Sequence, residues 1–425
     1  MMQLTDEEQA MLAGAQGPAV QKAMQIVVAL AEIYGAQDLV PIASAQVAGV
    51  SYKNLGDAGL EFLEEWAAHG ARVKVPTFMN PAGMDLERWP EMGIAPEFAR
   101  QQQRIVQALV AMGVALTCTC TPYLVGYAPR KGEHLAWSES SAVSFANSVL
   151  AARSNREGGP SALAAAITGR AAAYGLHLSE NRRATHIIQV HCPLHSEADY
   201  GALGYLVGKL VEDGVPYFRF LETPISPEAG VLLRLEHLMA LGAAMAASGA
   251  VALYHIEGVT PEAQHALSSA NELPVIAMDD ITEGYAALNS PLDEIDFVSI
   301  GCPHSTLADI ERVAALLAGK RIRATLWITT SRAVRELAVR KGLVARIEAA
   351  GGKVFSDTCL VVAPVEKMGF KAMATNSAKA AFYSPMHSKL QRRFGSLEQC
   401  IQAALTGRWT GCDSALEARL GNCRT

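Results

Sequence analysis

The segment Val354-Phe355-Ser356-Asp357-Thr358-Cys359 has the pattern of a short buried strand that ends on a cysteine. Two other apolar segments, Ile295 to Cys302 and Val114 to Cys120, end in the same way. In open α/β sheets, ligands bind outside the carboxyl ends of the strands. We therefore expect these three cysteines, which are far apart in the sequence, to converge at one site.

The segments around this strand alternate between strand and helix patterns. We predict a compact βαβαβ lobe over residues 286–412, N-terminal α/β lobes over residues 1–285 and a tail over residues 413–425. Such alternation is typical of an α/β fold with mainly parallel sheets. Within the C-terminal lobe we predict strands at 295–300, 321–330 and 353–358, and helices at 305–318 and 331–351.

In the N-terminal lobes, Thr5 and Glu8 form a capping-box pattern, so a helix should begin near Asp6. The segment from Thr77 to Pro81 is predicted to be a loop. Further helices are predicted at 18–34, 60–69, 96–112 and 232–247, and strands at 39–45, 71–76, 114–118, 186–191, 216–221 and 250–256.

The composition excludes several classes of protein. Half of the 425 residues are hydrophobic, 18% are charged and the net charge is −6, so the composition gives no case for binding nucleic acid or an anionic membrane surface. The first residues are acidic, unlike those of a signal peptide. No uncharged apolar run reaches the roughly 18–20 residues of a membrane helix. We expect a cytoplasmic protein.

The chain has eight cysteines, and disulfides are rare in a reducing compartment. Three thiolates can hold an iron–sulfur cluster with one iron open to substrate. The alternative is three unrelated core cysteines, because the chain has no CxxC spacing. Cys118 is either a further ligand or a core residue.

Cys302 lies just before a predicted helix, which would lower its pKa. It could therefore be a nucleophile with His304 as its base.

Two polar positions lie near the predicted cysteine site. Glu139 and Ser141 open a helix, where they act either as a cap or as a general base and a proton donor. Lys379 follows a strand-to-helix turn. It could bind an anion, act as a base if desolvated, or lie on the solvated surface.

The segment from Arg153 to Pro160 is polar, rich in glycine and doubly basic, and it lies between alanine-rich helices. Such a segment often binds an anion, because arginine offers a planar fork of donors and glycine lets the backbone approach. We therefore predict that Arg153, Asn155 and Arg156 bind substrate.

Seven strings in the chain resemble those of the aconitase X family, and the similarity extends to about residue 412. This family comprises dehydratases related to aconitase, with members acting on cis-3-hydroxy-L-proline or on mevalonate 5-phosphate. The resemblance implies the aconitase large-subunit arrangement of α/β lobes. The strings are GVSYKNLGDAGLEF (49–62), PTFMNPAGMD (76–85), CTCTPYLVG (118–126), ESSAVSFANSVLAARSNREGGPSALAAAITG (139–169), SIGCPHSTL (299–307), FSDTCLVV (355–362) and ATNSAKAAFYSP (374–385).

The resemblance also implies roles for individual residues. An iron–sulfur cluster, either [2Fe-2S] or [4Fe-4S], would be held by the three cysteines that the strand pattern singled out. The implied cluster ligands are Cys120, Cys302 and Cys359; the implied substrate loops contain Gly49, Val50, Ser51, Asn80 and Pro81; Glu139, Ser140, Ser141 and Lys379 would line the site.

The chain departs from the family pattern at two points. Relatives often carry histidine in the segment Ala45 to Ala48, where this chain has Gln46. The family's small swivelling domain is also missing, so we expect a separate small subunit.

The sequence thus predicts a hydro-lyase that removes water from a small hydroxy acid. Backbone amides in the GVSYKNLG turn suit a phosphate, which favours mevalonate 5-phosphate. The alanine-rich composition and the CTCTPYL string favour cis-3-hydroxy-L-proline, which we prefer at this stage. An alternative of another class is a non-catalytic binding subunit, to which the Gln46 departure points.

Overall fold

The computed structural model describes residues 2–221, 233–267 and 272–410, so the predicted tail lies outside the described residues. The helices are Asp6–Leu12 (α1), Pro18–Ile33 (α2), Tyr52–Ala68 (α3), Pro96–Ala111 (α4), Ser140–Ser148 (α5), Gly159–Thr168 (α6), Glu197–Val211 (α7), Leu235–Ser248 (α8), Ala263–Ala266 (α9), Thr282–Leu288 (α10), Leu307–Leu316 (α11), Arg332–Arg340 (α12), Leu343–Ala349 (α13), Ala378–His387 (α14) and Leu397–Thr406 (α15).

The strands are short, and most have one or more hydrogen-bonded neighbours in a parallel sheet. They are Leu39–Pro41 (β1), Ser44–Val47 (β2), Thr77–Met79 (β3), Leu135–Trp137 (β4), Arg170–Ala172 (β5), His186–Val190 (β6), Pro216–Phe220 (β7), His255–Ile256 (β8), Val275–Met278 (β9), Phe297–Ile300 (β10), Thr325–Thr330 (β11), Lys353–Ser356 (β12), Ala372–Thr375 (β13) and Gln391–Phe394 (β14).

The C-terminal lobe contains a five-stranded parallel sheet in the order β12-β11-β10-β13-β14. The predicted βαβαβ order of this lobe is confirmed. The helix predicted from 331 to 351 is instead two helices, α12 and α13. Gly342 separates them with a φ of +70°, a left-handed conformation that glycine adopts without steric cost.

The rest of the described chain adds a four-stranded parallel sheet, β8-β7-β6-β9, and a three-stranded parallel sheet, β3-β2-β4. Only the two-stranded β1–β5 sheet is antiparallel among the described strands. Together with the helices, these sheets confirm the predicted α/β fold with multiple lobes and mainly parallel sheets. No helix in the described ranges is both long and apolar enough to cross a membrane.

Several predicted strands of the N-terminal lobes were wrong. The segment 39–45 is split between β1 and β2, which belong to different sheets. Residues 71–76 form no strand, and β3 lies in the segment predicted to be a loop. Pro76 has no N–H to donate to a ladder, and pairing with β2 begins at the next residue. The predicted helix at 60–69 begins earlier, at Tyr52, and the predicted strand at 250–256 shrinks to His255–Ile256.

The segment 114–118 is also not a strand, since only Ala115 makes an isolated bridge, to Phe78. Cys120 therefore lies in a loop after α4 rather than at the end of a strand. At Cys118 the backbone has a φ of +40°, which turns the chain away from an extended path.

The N-terminal and C-terminal lobes are joined through the turn that follows β12. The backbone N–H of Ala82 donates to the carbonyl of Asp357 over 2.7 Å, and Ala82 pairs with Thr358 in a parallel bridge. This contact brings the loop after β3 against the loop that carries Cys359.

Candidate active site

Three thiols from separate loops lie within electrostatic reach of one another. Cys302 follows β10, Cys359 follows β12, and Cys120 comes from the loop after α4. Burial is the main cause that raises the pKa of each thiol. Ionised Cys302 would raise the pKa of both Cys120 and Cys359, and the pKa of Cys359 reaches about 12. The convergence expected from the sequence is present, although one of the three thiols does not follow a strand.

His304 connects the loops of all three cysteines. Its backbone N–H donates to Cys120 Sγ over 3.2 Å, its Nδ1 lies 3.0 Å from Thr119 Oγ1 and its Nε2 lies 2.9 Å from the carbonyl of Thr358. A carbonyl can only accept, so Nε2 carries the proton and Nδ1 accepts from the threonine hydroxyl. His304 follows Cys302 by two residues. Its buried side chain therefore connects the Cys302 loop to the loops of Cys120 and Cys359.

This arrangement rules out the alternative of a Cys302 nucleophile with His304 as its base. Both ring nitrogens are occupied, and burial lowers the pKa of His304 to about 4. The pKa of Cys302 is raised rather than depressed, chiefly by burial. The next helix, α11, begins only at Leu307 and is capped by Thr306, so Cys302 does not lie at its first turn.

Cys118 does not join the three thiols. It is fully buried in the hydrophobic core of the first lobe. Burial raises its pKa, and the charge that adds to this effect comes from Asp357. We therefore assign Cys118 to the core.

A buried ion pair lies beside the thiols, at the N-terminal ends of α5 and α14. Lys379 Nζ donates to Glu139, and it also lies 3.2 Å from Ser140 Oγ and 3.4 Å from Ser141 Oγ. Asn80 Nδ2 donates to the second oxygen of Glu139 over 2.8 Å. These five polar residues, all expected at the site from the family resemblance, are brought together by the fold.

The charges of this pair are fixed by their mutual contact. Burial alone would raise the pKa of Glu139, but Lys379 and Asn80 outweigh it and lower that pKa. Burial alone would lower the pKa of Lys379, but Glu139 and Cys302 outweigh it and raise that pKa. The carboxylate is therefore ionised and the ammonium protonated at neutral pH. Lys379 is thus suited to binding an anion and not to acting as a base.

Gln46, the position that departs from the family pattern, links this ion pair to the Cys120 loop. The side chain is completely buried in β2. Its Nε2 donates to the carbonyl of Thr119 over 3.2 Å, and its Oε1 accepts from the backbone N–H of Glu139 over 3.3 Å. The residue thus has a hydrogen-bonding role despite the departure.

The predicted substrate loop at 49–51 lies against the segment after Cys359. Ser51 Oγ donates to the carbonyl of Val362 over 2.8 Å, and Gly49 has a φ of +77°. Within the described residues, the backbone N–H groups of Gly49, Val50 and Ser51 donate no hydrogen bond to protein. Pro81 is buried between Asn80 and the Ala82 bridge. The loop therefore offers unused donors beside the cysteine site.

Only one of the three residues predicted from the basic segment lies near the ion pair. The charge of Arg156 lowers the pKa of Glu139. Arg153 instead donates to the carbonyl of His177 over 2.7 Å and to Ser179 Oγ over 2.8 Å. Asn155 uses its amide to bridge the backbone at residues 174 and 176. Arg153 and Asn155 are held in these local loop contacts, and their role in substrate binding stays a prediction.

The turn before Cys359 contains a feature that the sequence did not reveal. Asp357 is fully buried with a φ of +67°, and Arg332 binds both of its carboxylate oxygens at 2.6 Å. The backbone N–H of Leu86 donates to the same carboxylate over 3.2 Å. This bidentate pair fixes the turn and thereby the position of Cys359.

Buried polar atoms without a partner surround the site. Such atoms are costly unless a ligand, ion or water satisfies them. Four of those in the described residues belong to residues beside the cysteines or Glu139: Asn80 Oδ1, Tyr123 Oη, Ser305 Oγ and Thr358 Oγ1. These four atoms are therefore free to bind a polar group or water at the site.

The donor set fits an iron–sulfur cluster in its chemistry, since two buried thiols and one half-buried thiol converge beside unsatisfied polar atoms. In the part of the chain that the structure describes, no group of three or more histidine, cysteine, aspartate or glutamate side chains is arranged to hold a metal ion. The ligands of a cluster lie farther apart than those of one ion, so the absence of a single-ion site does not count against a cluster.

Comparisons with known proteins cover almost the whole chain. Family models described as the aconitase X first, second and third domains match residues 1–180, 184–286 and 295–406. The phosphomevalonate dehydratase large subunit of Methanothermobacter thermautotrophicus is 54% identical over 89% of this chain and 92% of its own. The cis-3-hydroxy-L-proline dehydratase of Pseudomonas aeruginosa is 37% identical over 94% of this chain and 70% of its own.

A solved structure is similar throughout. The crystal structure of Thermococcus kodakaraensis aconitase X in its holo-form superposes with a TM-score of 0.86 at 47% sequence identity, and the match covers 95% of this chain and 100% of that one.

Proposed function

The chain belongs to the aconitase X family of dehydratases, and we propose that it is the large subunit of an iron–sulfur hydro-lyase that removes water from mevalonate 5-phosphate. The observation that carries this proposal is the buried Glu139–Lys379 ion pair, with its two serines, beside three converging thiols. A dehydratase needs a group that accepts a proton from carbon and a group that assists departure of the hydroxyl, and these two clusters are suited to the two tasks.

Cys120, Cys302 and Cys359 would hold the cluster. When bound, it would supply a Lewis-acidic iron for the hydroxyl that leaves. The backbone N–H of His304, which donates to Cys120 Sγ, would stabilise the thiolate form that a cluster requires.

The proton acceptor that we propose is Ser141 together with Glu139. Ser141 Oγ donates to Glu139 over 3.2 Å and lies 3.4 Å from Lys379 Nζ. In the elimination, the proton from the substrate carbon passes to the serine oxygen while the serine proton passes to the carboxylate. The electrons of the C–H bond form the double bond as the C–O bond breaks, and the hydroxide that departs takes up a proton to leave as water, which balances the proton gained by Glu139. The ammonium of Lys379 holds the developing negative charge at the serine oxygen.

The preference for a phosphorylated substrate rests on two observations. The relatives named phosphomevalonate dehydratase large subunit are more similar to this chain than those named cis-3-hydroxy-L-proline dehydratase. The unused backbone donors of Gly49, Val50 and Ser51 suit the oxygens of a phosphate. Both favour mevalonate 5-phosphate over cis-3-hydroxy-L-proline, the substrate that we preferred from the composition and the CTCTPYL string.

A second candidate is dehydration of cis-3-hydroxy-L-proline, which the family relation to the bacterial and fungal enzymes keeps open. The protein should be purified anaerobically with its small subunit and assayed for water loss from both compounds. We expect turnover of mevalonate 5-phosphate. Turnover of hydroxyproline alone would reverse the substrate assignment.

We also propose that a separate small subunit completes the site, because the relatives of similar length are named large subunits. The large chain alone should then be inactive and should gain activity on addition of the small one. If the complex contains no iron after reconstitution and converts neither compound, the alternative of a non-catalytic binding subunit replaces this proposal.

A further inference from the structure

Tyr123 carries a hydroxyl that is held in place but has no partner. It lies in a short 3-10 turn, Pro122–Leu124, three residues after Cys120. Its ring stacks on Phe145, with the ring centroids 4.0 Å apart and the planes at 11°. Phe145 belongs to α5, the helix that Glu139 opens. The stack therefore fixes the direction of the hydroxyl relative to Glu139.

This hydroxyl differs from those of other tyrosines in the described core. Tyr254 donates to the carbonyl of Leu238 over 3.1 Å, and Tyr285 donates to Asp199 over 2.7 Å. Tyr123 Oη is buried and makes no hydrogen bond to any described residue. Because a buried donor without a partner is costly, its retention calls for a partner that binds at the site.

The surroundings of Tyr123 identify the kind of partner. Burial raises the pKa of the phenol, and negative charge on Cys120 or Glu139 raises it further. The hydroxyl is therefore neutral at physiological pH and acts as a donor to an acceptor oxygen. The phenol comes three residues after Cys120, a proposed cluster ligand, and stacks on the helix that Glu139, the proposed proton acceptor, opens. We therefore place it next to the reacting part of a substrate.

We propose that Tyr123 Oη donates a hydrogen bond to the oxygen of the substrate hydroxyl that leaves as water. This inference rests on the proposed dehydratase function and assigns a catalytic residue to the same site. The bond strengthens as negative charge develops on the departing oxygen, so it lowers the barrier more than it tightens ground-state binding.

The test is Tyr123→Phe, studied in the complex with the small subunit on whichever compound the wild-type enzyme dehydrates. We expect kcat to fall by about 100-fold, as is typical when one donor to a developing oxyanion is removed, with little change in KM. Without substrate, the melting temperature should be unchanged or higher, since no hydrogen bond to protein is lost.

The matched control is Tyr285→Phe, which removes a tyrosine hydroxyl whose partner, Asp199, lies outside the site. It should lower the melting temperature and leave kcat unchanged. A Tyr123→Phe enzyme with wild-type kcat would overturn the inference, as would a loss of stability equal to that of the control. Absence of wild-type turnover with both compounds would instead overturn the proposed function, and the melting temperatures would still test whether the hydroxyl is unpartnered.

Discussion

The two charges of the Glu139–Lys379 pair depend on each other, because both side chains are mostly buried, with 10% of the Lys379 side chain and 15% of the Glu139 side chain exposed. Removing one partner of a buried pair leaves the other charge uncompensated, at a cost of about 3–5 kcal/mol. We expect Glu139→Gln to lower the free energy of unfolding by this amount and to abolish turnover. Glu139→Gln combined with Lys379→Met should recover most of the stability and none of the activity. Denaturant unfolding of the wild type, the single variants Glu139→Gln and Lys379→Met, and the double variant measures this, and additive losses would contradict it.

The same pair predicts an acid-dependent loss of stability. The pKa of Glu139 lies below its usual value of 4.5 in the folded protein, so its contribution is fully present above pH 4.5. That contribution is lost as the pH falls from 4.5 towards the lower folded-state pKa. Compared with Glu139→Gln, the wild-type protein should therefore lose its advantage in unfolding free energy over this window. An advantage that persists unchanged to pH 3 would show that the ionisation of Glu139 contributes nothing to that stability.

For single residues, the sequence identified which residues belong to the site better than it identified the contacts between them. The strand pattern singled out the cysteines, the positions at helix starts singled out Glu139 and Lys379, and the resemblance added Asn80. The bond between His304 and Thr119 joins residues 185 positions apart, and no local pattern encodes such a contact. Tyr123 was missed for the same reason, although it lies within one of the matching strings.

Gln46 is important at the level of elements, because it joins β2 to the Cys120 loop and to the start of α5. Gln46→Ala would leave the carbonyl of Thr119 and the N–H of Glu139 buried without partners, which costs about 1–3 kcal/mol for each group. We expect lower stability and a misplaced Glu139, seen as a fall in kcat. Gln46→His keeps one ring nitrogen that can donate and one that can accept, so it should recover both in part. If Gln46→His is as impaired as Gln46→Ala, the bridging role is wrong.

The strand predictions failed where an apolar segment has no neighbouring strand to pair with, or pairs with different neighbours along its length. The sequence does not reveal these neighbours. Residues 114–118 are apolar, yet only Ala115 has a bridging neighbour. Residues 39–45 are continuous in hydrophobicity, but β1 and β2 pair with different neighbours. Strand formation depends on packing and pairing across the sheet, so apolar content alone overpredicts it. Helices were predicted more reliably because capping boxes such as Thr5–Glu8 are local.

On the scale of the whole molecule, the site exists only where the lobes meet. Cys120 and Glu139 come from the first lobe, whereas Cys302, Cys359 and Lys379 come from the last. A cluster bound between them would cross-link the two lobes. A group that binds only the folded protein raises its stability, so loading with iron should raise the melting temperature.

The prediction that tests this view compares two cysteines of the same chain. Cys359→Ala removes a thiol that faces the other two, whereas Cys118→Ala removes a buried thiol from the core of the first lobe. After anaerobic reconstitution, Cys118→Ala should keep its iron, its visible absorbance and the iron-dependent rise in melting temperature, from a somewhat lower starting stability. Cys359→Ala should lose all three signals, because the remaining thiols leave the link between the lobes incomplete. Equal iron content in both variants, or loss confined to Cys118→Ala, would refute the assignment of the three thiols.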